Sequence, residues 1–487
     1  MENEKSKNRI TDMPSKEFKK YGNEIIEWVD EYLSGIEKFR VLPEVKPGEI
    51  KKELPDSMPD KGESFDKIFT DFQEKILPGI THWQHPNFMA YFNSTSTAPG
   101  IFGELISGAL NANGMLWKSS PAISELERVT TNWFREAVGL SKDFWGIIYD
   151  TASISTMHAI ANARENISGY EIREKGLVGS GVPPLRLYAS EYAHSSVEKG
   201  VLTLGLGLEG TRKIATDEQF RMIPSELEKA IQEDITAGNK PFCVVATVGT
   251  TSVTSIDPVN EIAQICRKYN LWLHIDAAHA GVIAMVPGYE YLLDGVNEAD
   301  SIVINPHKWG FVPMDCSLFY TKNPDLLKKA FSIVPEYLKT KEDSEVENLM
   351  DYGVQLGRRF RSLKLWFVLR YYGKEGYFEI YKEHLRLGKR FEKFVSEDDR
   401  FELMAPVTLS TICFRGKPKG MNDEELNLFN DSMINSINNS GELFLSHTKI
   451  NGKFILRLVV SGIRTEERHI TNAWETIKKH YLLCSIK

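Results

Sequence analysis

Residues 301–309 read SIVINPHKW, an apolar run that ends at Asn305 and is followed by a lysine, Lys308. Residues 272–281 read WLHIDAAHAG, where a similar apolar run ends at Asp276. Between about residues 144 and 321, further apolar runs alternate with helical patterns: FWGIIY, LRLYAS, FCVVATV and SLFYT. Strands that alternate with helices are joined by right-handed crossovers. The pattern therefore predicts an α/β fold with a mostly parallel sheet covered on both faces.

Ligands of such sheets bind at the carboxyl ends of the strands, where Asp276 and Lys308 are expected. Taken singly, Lys308 would be a surface lysine and Asp276 could be a helix cap. Burial lowers the pKa of a lysine and makes its amine a nucleophile that forms imines. A nucleophilic lysine and an aspartate that can hold a pyridinium nitrogen together indicate pyridoxal 5'-phosphate (PLP).

The phosphate of such a cofactor requires a helix N-terminus. Thr151, Ala152 and Ser153 lie between the strand FWGIIY and the helical pattern STMHAIANAREN. Free backbone N–H groups and the helix dipole favour an anion there, although the hydroxyls could equally be ordinary N-caps. His194 follows the strand LRLYAS, where its ring could stack on the cofactor face opposite the sheet.

Composition narrows the class of protein further. The 487 residues carry a net charge of −8, with 59 Lys and Arg against 67 Asp and Glu, which argues against a nucleic-acid partner. The five cysteines are scattered without a C-x-x-C pair, and the stretch MENEKSKNRITDMPSKEF lacks the apolar core of a signal peptide. We therefore expect a cytoplasmic protein with reduced thiols.

Residues 76–103 contain no Asp, Glu, Lys or Arg but are rich in aromatic residues. Their prolines, histidines and Ser/Thr/Asn cluster exclude a membrane-spanning helix, and no membrane association is expected. An uncharged aromatic segment of this kind is expected to be buried under a subunit interface or a substrate pocket.

The pattern along the chain predicts three parts. Residues 1–95 form an N-terminal arm with the dimerisation and pocket segment, beginning with a helix at about 15–35. Residues 96–375 form a large cofactor-binding domain, in which Ser225 and Glu228 have the spacing of a capping box. Residues 376–487 form a smaller α+β domain with long amphipathic helices.

Two motifs have weaker interpretations. Gly205-x-Gly207-x-x-Gly210 spells a dinucleotide fingerprint, but the residues before it look helical and those after it look extended, so a helix stop is the better interpretation. A metal cluster could be drawn from histidines and an aspartate, but no further ligands at suitable spacing support it. Structural roles are favoured for these histidines, namely His82, His85, His274 and His279.

At the level of whole motifs, the chain resembles the PLP-dependent group II amino acid decarboxylases, and specifically the aromatic-L-amino-acid decarboxylases. The resemblance covers nearly the whole length. It rests on HWQHPNFMAYF, SSPAISELE, TASISTMHAIANAR, AHSSVEKG, ATVGTTSVTSIDP, WLHIDAAHAG, ADSIVINPHKW, MDCS and LGRRFRSLKLWFVLRYYG.

This resemblance implies a fold-type-I PLP enzyme in which Lys308 holds the cofactor covalently and Asp276 pairs with the pyridine nitrogen. It places His194 on the cofactor ring and His307 among the catalytic residues. It also implies that a tyrosine on a mobile loop, Tyr337, protonates the substrate at Cα. The cofactor contacts that it implies are Thr151, Ala152, Ser153, Thr251, Asp276, Ala278, Asn305 and Lys308.

For the substrate, the resemblance implies an aromatic pocket without an obvious cation, which disfavours acidic substrates. Gly357 stands where relatives that act on phenolic substrates carry serine, so its position leaves room for an indole. The pocket residues that the resemblance implies are Trp83, Tyr91, Phe92, Ser94, Asn113, Met115, His194 and Gly357.

The chain departs from the family pattern at several pocket positions. Asp150 replaces a glycine, His279 a tyrosine and Asn93 a proline. Asn113 and Met115 replace an isoleucine and a phenylalanine that would reach across from the partner subunit. These departures bear on substrate identity and leave the type of reaction unchanged.

The expected activity is decarboxylation of an aromatic L-amino acid to its arylalkylamine and CO2 by a homodimer with its site at the interface. Alternatives with the same cofactor are an aromatic aldehyde synthase and a decarboxylase of a non-aromatic amino acid. An alternative from another class is a non-catalytic PLP-binding protein, against which the retained reactive residues argue.

Overall fold

A seven-stranded sheet lies at the centre of the larger part of the chain. The computed structural model describes residues 12–333, 338, 340–343 and 345–486. The strand order is β1-β7-β6-β5-β4-β2-β3, with β7 antiparallel to both neighbours and the other pairs parallel. This confirms the mostly parallel sheet. The strands are β1 Trp145–Tyr149, β2 Leu185–Ser190, β3 Thr211–Ile214, β4 Lys240–Thr247, β5 Trp272–Asp276, β6 Ser301–Ile304 and β7 Ser317–Thr321.

The described residues also form a set of α-helices. They are α1 Ser15–Ser34, α2 Glu49–Glu53, α3 Phe65–Asp71, α4 Ala98–Leu110, α5 Pro121–Ala137, α6 Ala152–Glu165, α7 Ile172–Ser180, α8 Ser196–Thr203, α9 Pro224–Thr236, α10 Val259–Tyr269, α11 Pro324–Phe331, α12 Arg361–Ser396, α13 Asp423–Ser440 and α14 Glu467–Ser485. The first begins where the pattern predicted, and the linker after it contains the short α2.

Both faces of the large sheet are covered, as β4 illustrates. Successive side chains of a strand point to opposite faces. Val244 belongs to the same apolar cluster as Ile262 of α10, whereas Val245 belongs to a cluster with Ile160 of α6 and Val201 of α8. A strand that is buried on both faces must be apolar at every position, which explains why these strands appear as continuous apolar runs.

A second sheet lies in the C-terminal part of the chain. Its order is β10-β11-β9-β8, and all its pairs are antiparallel. Its strands are β8 Phe401–Leu403, β9 Thr411–Gly416, β10 Ser446–Ile450 and β11 Lys453–Val459. Together with α13, α14 and the end of α12 it forms its own apolar core. Within α12, Gly373 has φ +58, close to the predicted limit at 375.

Two local expectations have different outcomes. The predicted capping box at Ser225 is wrong, because Pro224 takes the first helical position and no side chain caps the helix. Glu228 instead accepts hydrogen bonds from Lys268 and Tyr269. The glycines 205, 207 and 210 follow α8 and precede β3, so the loop lacks the preceding strand of a dinucleotide site.

Within the described ranges, none of the helices has the length and apolarity needed to traverse a bilayer.

Candidate active site

The carboxyl ends of β5 and β6 lie side by side and carry the two predicted reactive residues. Asp276 is the last residue of β5 and is buried, and its Oδ1 accepts a hydrogen bond from the Ala278 N–H at 3.1 Å. The Asn305 N–H donates to the Ala278 carbonyl at 3.0 Å. These bonds hold the two strand ends together, three residues before Lys308. The second carboxylate oxygen of Asp276 accepts no hydrogen bond from the described part of the chain.

The Lys308 side chain is half-buried and forms no ion pair with any residue that the structure describes. Burial lowers the pKa of its amine, and the neighbouring Asp276 partly opposes that shift. Its Nζ lies 5.4 Å from the ring centroid of Phe92. A lowered pKa increases the fraction of neutral amine at neutral pH, which is the form that attacks a carbonyl.

His194 has a fixed ring orientation and an exposed face. Its Nδ1 accepts a hydrogen bond from the Ser196 N–H at 3.1 Å and lies 2.9 Å from the Ser196 Oγ. Desolvation lowers the pKa of His194, Asp276 raises it and Lys308 lowers it. The ring is therefore neutral at neutral pH, with Nδ1 as acceptor and the proton on Nε2. His194, Asp276 and Lys308 therefore interact electrostatically, and we refer to these three residues as the lysine cluster.

The N-terminus of α6 offers backbone donors beside this cluster. Thr151 is the N-cap residue, but its side chain does not cap the helix. In the described part of the chain, the N–H groups of Ala152 and Ser153 have no carbonyl partner. Asn305 reaches this helix because its Oδ1 accepts from the Ser317 Oγ at 2.7 Å, and that Oγ lies 2.8 Å from the Ser155 Oγ.

Thr251 and Ala278 lie in the loops after β4 and β5. Thr251 is exposed, in a loop whose Thr250 and Ser255 hydroxyl groups lie 2.8 Å apart. Ala278 is buried, and its carbonyl accepts the Asn305 N–H. Both positions are at the same edge of the sheet as Asp276.

His307 is tied to the start of β7. Its Nδ1 accepts a hydrogen bond from the Cys316 N–H at 2.9 Å, and its carbonyl accepts one from the Ser94 Oγ. Burial and the neighbouring Lys308 lower the pKa of His307 to about 3. A ring held in this way is neutral, and it anchors the backbone that carries Lys308.

The aromatic segment 76–103 divides into two groups. Phe92 and Ser94 contact the lysine cluster through Lys308 and His307. Trp83 and Tyr91 instead stack on each other at 5.9 Å and are 39% and 51% exposed. Among the described residues, neither of these two rings contacts Lys308, so their place in the substrate pocket stays a prediction.

Three further pocket residues form a separate group. The Asn113 Oδ1 accepts from the Met115 N–H at 3.2 Å and from the Arg358 N–H at 2.9 Å. A Cβ at Gly357 would lie 3.7 Å from the Asn113 Nδ2. Within the described ranges, this group has no hydrogen bond, ion pair or ring contact with Lys308. Tyr337 lies outside the described residues, but Leu338 packs against Leu116, Met115 and Met350.

A buried cation that the sequence analysis missed lies beside Phe92. The Arg457 guanidinium carbon is 5.5 Å from the Phe92 ring centroid, and burial lowers the pKa of this guanidinium. Its Nε donates to the Ser252 carbonyl at 2.7 Å and one terminal nitrogen to the Ser446 Oγ at 2.9 Å, while the other has no hydrogen-bond partner among the described residues. A buried cation therefore lies beside Phe92, while the expectation that the pocket for the substrate side chain lacks a cation stays a prediction. The sequence feature that could have indicated this buried cation is the single arginine within the apolar strand KFILRLVV.

Three of the four histidines that could have suggested a metal have hydrogen-bond partners, whereas the two ring nitrogens of His279 have none among the described residues. The Nδ1 of His274 lies 2.9 Å from the Ser301 Oγ, and the Nδ1 of His82 lies 3.0 Å from the Tyr32 hydroxyl. The Nδ1 of His85 accepts from the Asn87 N–H at 3.0 Å. Across the residues that the structure covers, no cluster of three His, Cys, Asp or Glu side chains could hold a metal ion.

The family described as "Pyridoxal-dependent decarboxylase conserved domain" matches residues 47–417. The chain belongs to this family.

Similar curated proteins cover almost the whole of this decarboxylase. It is 38% identical to tryptophan decarboxylase 2 of Oryza sativa subsp. japonica over 476 residues, which is 96% of this chain and 95% of that protein. It is 38% identical to phenylacetaldehyde synthase of Arabidopsis thaliana, with 97% of each covered. It is 37% identical to tyrosine decarboxylase 2 of Narcissus pseudonarcissus, with 96% and 94% covered.

Solved structures have the same fold. Oryza sativa TDC with PLP and tryptamine superposes with a TM-score of 0.93 at 33% identity, covering 97% of this chain and 99% of that one. Catharanthus roseus tryptophan decarboxylase in complex with L-tryptophan gives 0.90 at 32% identity, covering 96% and 99%. Rhodiola rosea 4-hydroxyphenylacetaldehyde synthase gives 0.89 at 32%, with the same coverage.

The residues of this decarboxylase fit PLP. Within the part of the chain that the structure describes, Lys308 offers an amine without an ion-pair partner and Asp276 a carboxylate oxygen without a hydrogen bond. In the same part of the chain, the α6 N-terminus offers two free N–H groups for a phosphate. When bound, PLP supplies an electron sink for the charge that a departing carboxyl group leaves behind.

Proposed function

We propose that this decarboxylase converts an aromatic L-amino acid (tryptophan, phenylalanine, tyrosine or DOPA) to its arylalkylamine and CO2. The observation that carries the proposal is the aromatic wall at the reactive amine, where Phe92 lies 5.4 Å from the Lys308 Nζ. An aromatic side chain gains stacking and apolar burial against such a ring. The activities named for the relatives agree, since they act on tryptophan or tyrosine.

In this proposal, different residues bind the aldehyde, the ring and the phosphate of PLP. Lys308 binds it covalently, and Asp276 keeps its pyridine nitrogen protonated. His194 lies over the ring, while Thr251 and Ala278 line it. Its phosphate is held by the α6 N-terminus and its neighbours, namely Thr151, Ala152, Ser153 and Asn305.

Arg457 would orient the substrate. Its unpartnered nitrogen is buried beside Phe92, and burial of an unpaired cation is costly. Every amino acid substrate brings an α-carboxylate that could occupy this nitrogen, so the arginine does not require an acidic side chain. The remaining proposed pocket residues are Trp83, Tyr91, Ser94, Asn113, Met115 and Gly357.

The proton that replaces the carboxyl group would come from Tyr337. This residue precedes Leu338, which is buried against the segment that carries Met115. His307 would assist by fixing the backbone at Lys308, since its ring and carbonyl are both engaged.

An aromatic aldehyde synthase is the second candidate, because the relative of that name is as similar as the tryptophan decarboxylase. Product analysis separates the two. Purified protein with PLP is incubated with tryptophan, phenylalanine, tyrosine and DOPA separately, and amine, aldehyde, peroxide and ammonia are measured. Amine without oxygen uptake supports the decarboxylase. Aldehyde with peroxide and ammonia supports the synthase, and no turnover of any of the four contradicts both.

The protein would act as a homodimer. Helix α4 exposes a row of apolar side chains, including Phe102 at 46%, Leu105 at 56% and Leu110 at 59%, beside Tyr371 of α12 at 70%. Exposed apolar surface of this extent indicates an interface. A shared site, formed by Lys308 of one subunit and by pocket residues of the other, would also explain why Asn113, Met115 and Gly357 lie apart from Lys308 within one chain.

Hybrid dimers test the shared site directly. Chains carrying Lys308→Ala are co-expressed with chains carrying Gly357→Trp. The tryptophan blocks the group of pocket residues formed by Asn113, Met115 and Gly357. If the site is shared, a hybrid has one site with both changes and one with neither, so activity returns. Sites formed within one chain would each carry one change, and the mixture would stay inactive.

A cytoplasmic location fits the five cysteines, all of which are free thiols, four of them buried. Fractionation of cells that express a tagged chain tests this.

A further inference from the structure

Asp150 stands between β1 and α6, directly before the turn that would hold the cofactor phosphate. A carboxylate is an unexpected residue here, because a helix N-terminus that binds a dianion gains nothing from a second negative charge next to it.

The contacts of Asp150 make its position specific. Its Oδ1 accepts hydrogen bonds from the Thr151 N–H and from the Thr151 Oγ1, the latter at 3.0 Å. Its Oδ2 accepts from the Gln355 Nε2 at 2.8 Å. The carboxylate therefore occupies both donors of the first residue of the phosphate turn.

No cation neutralises this carboxylate directly within the described part of the chain. The Arg361 guanidinium is near enough to be influenced by Asp150, but its Nε bonds the Asp315 Oδ1 at 2.7 Å. The charge of Asp150 is therefore left facing the turn.

We propose that Asp150 sets the affinity for the cofactor by competing with its phosphate for the donors of Thr151. Binding of the phosphate requires the carboxylate to give up these donors, and the two negative charges repel one another at short range. The chain consequently binds PLP less tightly than a variant without this carboxylate and releases it more readily. The fraction of the protein that has PLP bound therefore rises and falls with the concentration of free PLP.

The test measures the binding of two ligands that differ only in phosphate. Apoprotein is titrated with PLP and, separately, with pyridoxal, and binding is followed by the visible absorbance of the bound form. The proteins are the unchanged chain, Asp150→Gly, Asp150→Asn and the control Asp143→Asn, which removes an exposed carboxylate before β1. Release of bound PLP into buffer is measured on the same set.

The expected result is that Asp150→Gly and Asp150→Asn bind PLP about tenfold or more tightly, because a like charge beside the phosphate is removed. Asp150→Asn retains the shape of the side chain, so it keeps the test valid if the glycine variant folds poorly. Pyridoxal affinity and the control should be unchanged. Unaltered or weaker PLP binding in both variants overturns the proposal, and so does a gain that is equal for pyridoxal, since the phosphate would then not be involved.

Discussion

The rings of Phe92 and His279 stack face to face with 3.6 Å between their centroids and an interplanar angle of 8°. Trp309 stacks on His279 at 4.8 Å, so the imidazole lies between two aromatic rings. Burial, together with the charges of Lys308 and Arg457, holds the pKa of His279 well below its usual range. A neutral imidazole can support Phe92 without adding a third positive charge to this site.

Replacement of Phe92 by leucine tests its role as the aromatic wall. The change keeps apolar bulk but removes stacking worth about 0.5–1.5 kcal/mol, so KM for the aromatic substrate should rise several-fold. The affinity for PLP should remain close to that of the unchanged chain. Steady-state kinetics and a PLP titration measure the two effects, and an unchanged KM would exclude Phe92 from the substrate pocket.

Replacement of Lys308 by alanine should abolish both turnover and the covalent attachment of PLP. The amine is the nucleophile at the strand ends, and its lowered pKa is the physical reason for its reactivity. Borohydride treatment followed by mass spectrometry detects the attachment. Lys199, which is exposed on α8, provides the matched control as Lys199→Ala. Labelling that persists in Lys308→Ala would assign the attachment to another lysine.

Replacement of Asp276 by asparagine should leave PLP bound but lower kcat by about 10³-fold or more, since several kcal/mol of charge stabilisation would be lost. The side chain keeps its shape and can still accept from the Ala278 N–H. Kinetics at saturating PLP separates loss of cofactor from loss of rate. Activity near that of the unchanged chain would refute the role of the carboxylate at the pyridine nitrogen.

Buried histidines predict instability in acid. Burial lowers the pKa of His85 to about 4, that of His274 to about 4 and that of His307 to about 3. These pKa values lie below the value of about 6.5 in the unfolded chain. The contribution of the neutral histidines to the free energy of unfolding is therefore complete above about pH 6.5 and is lost as the pH falls toward 4. Urea unfolding at pH 7, 6 and 5 measures the effect. His85→Asn, which retains an acceptor for the Asn87 N–H, should have a smaller pH dependence than the unchanged chain.

Local signals predicted most of the sheet, because a strand buried on both faces is apolar at each position and Asp276 and Lys308 follow such strands directly. The approach of Arg457 to Phe92 could not be predicted, because it depends on how the C-terminal sheet packs against the loops of the larger sheet. The separation of Asn113 from Lys308 within one chain could be anticipated only from the family resemblance, which implies that this position reaches across from the partner subunit. The capping box failed because Pro224 competes for the start of α9.

Replacement of Tyr337 by phenylalanine should convert the proposed decarboxylase into an oxygen-consuming enzyme. Without a nearby acid, the negative charge left at Cα after loss of CO2 persists long enough to meet dissolved oxygen. One O2 and one H2O are then consumed for each aldehyde formed, and CO2, ammonia and H2O2 are released with it. Tyr170→Phe, a change of the same kind outside the proposed site, is the matched control. Amine, aldehyde and peroxide are measured side by side in one reaction. If Tyr337 only packs the loop over the site, the variant makes the same amine more slowly, and amine as the sole product would refute its role as proton donor.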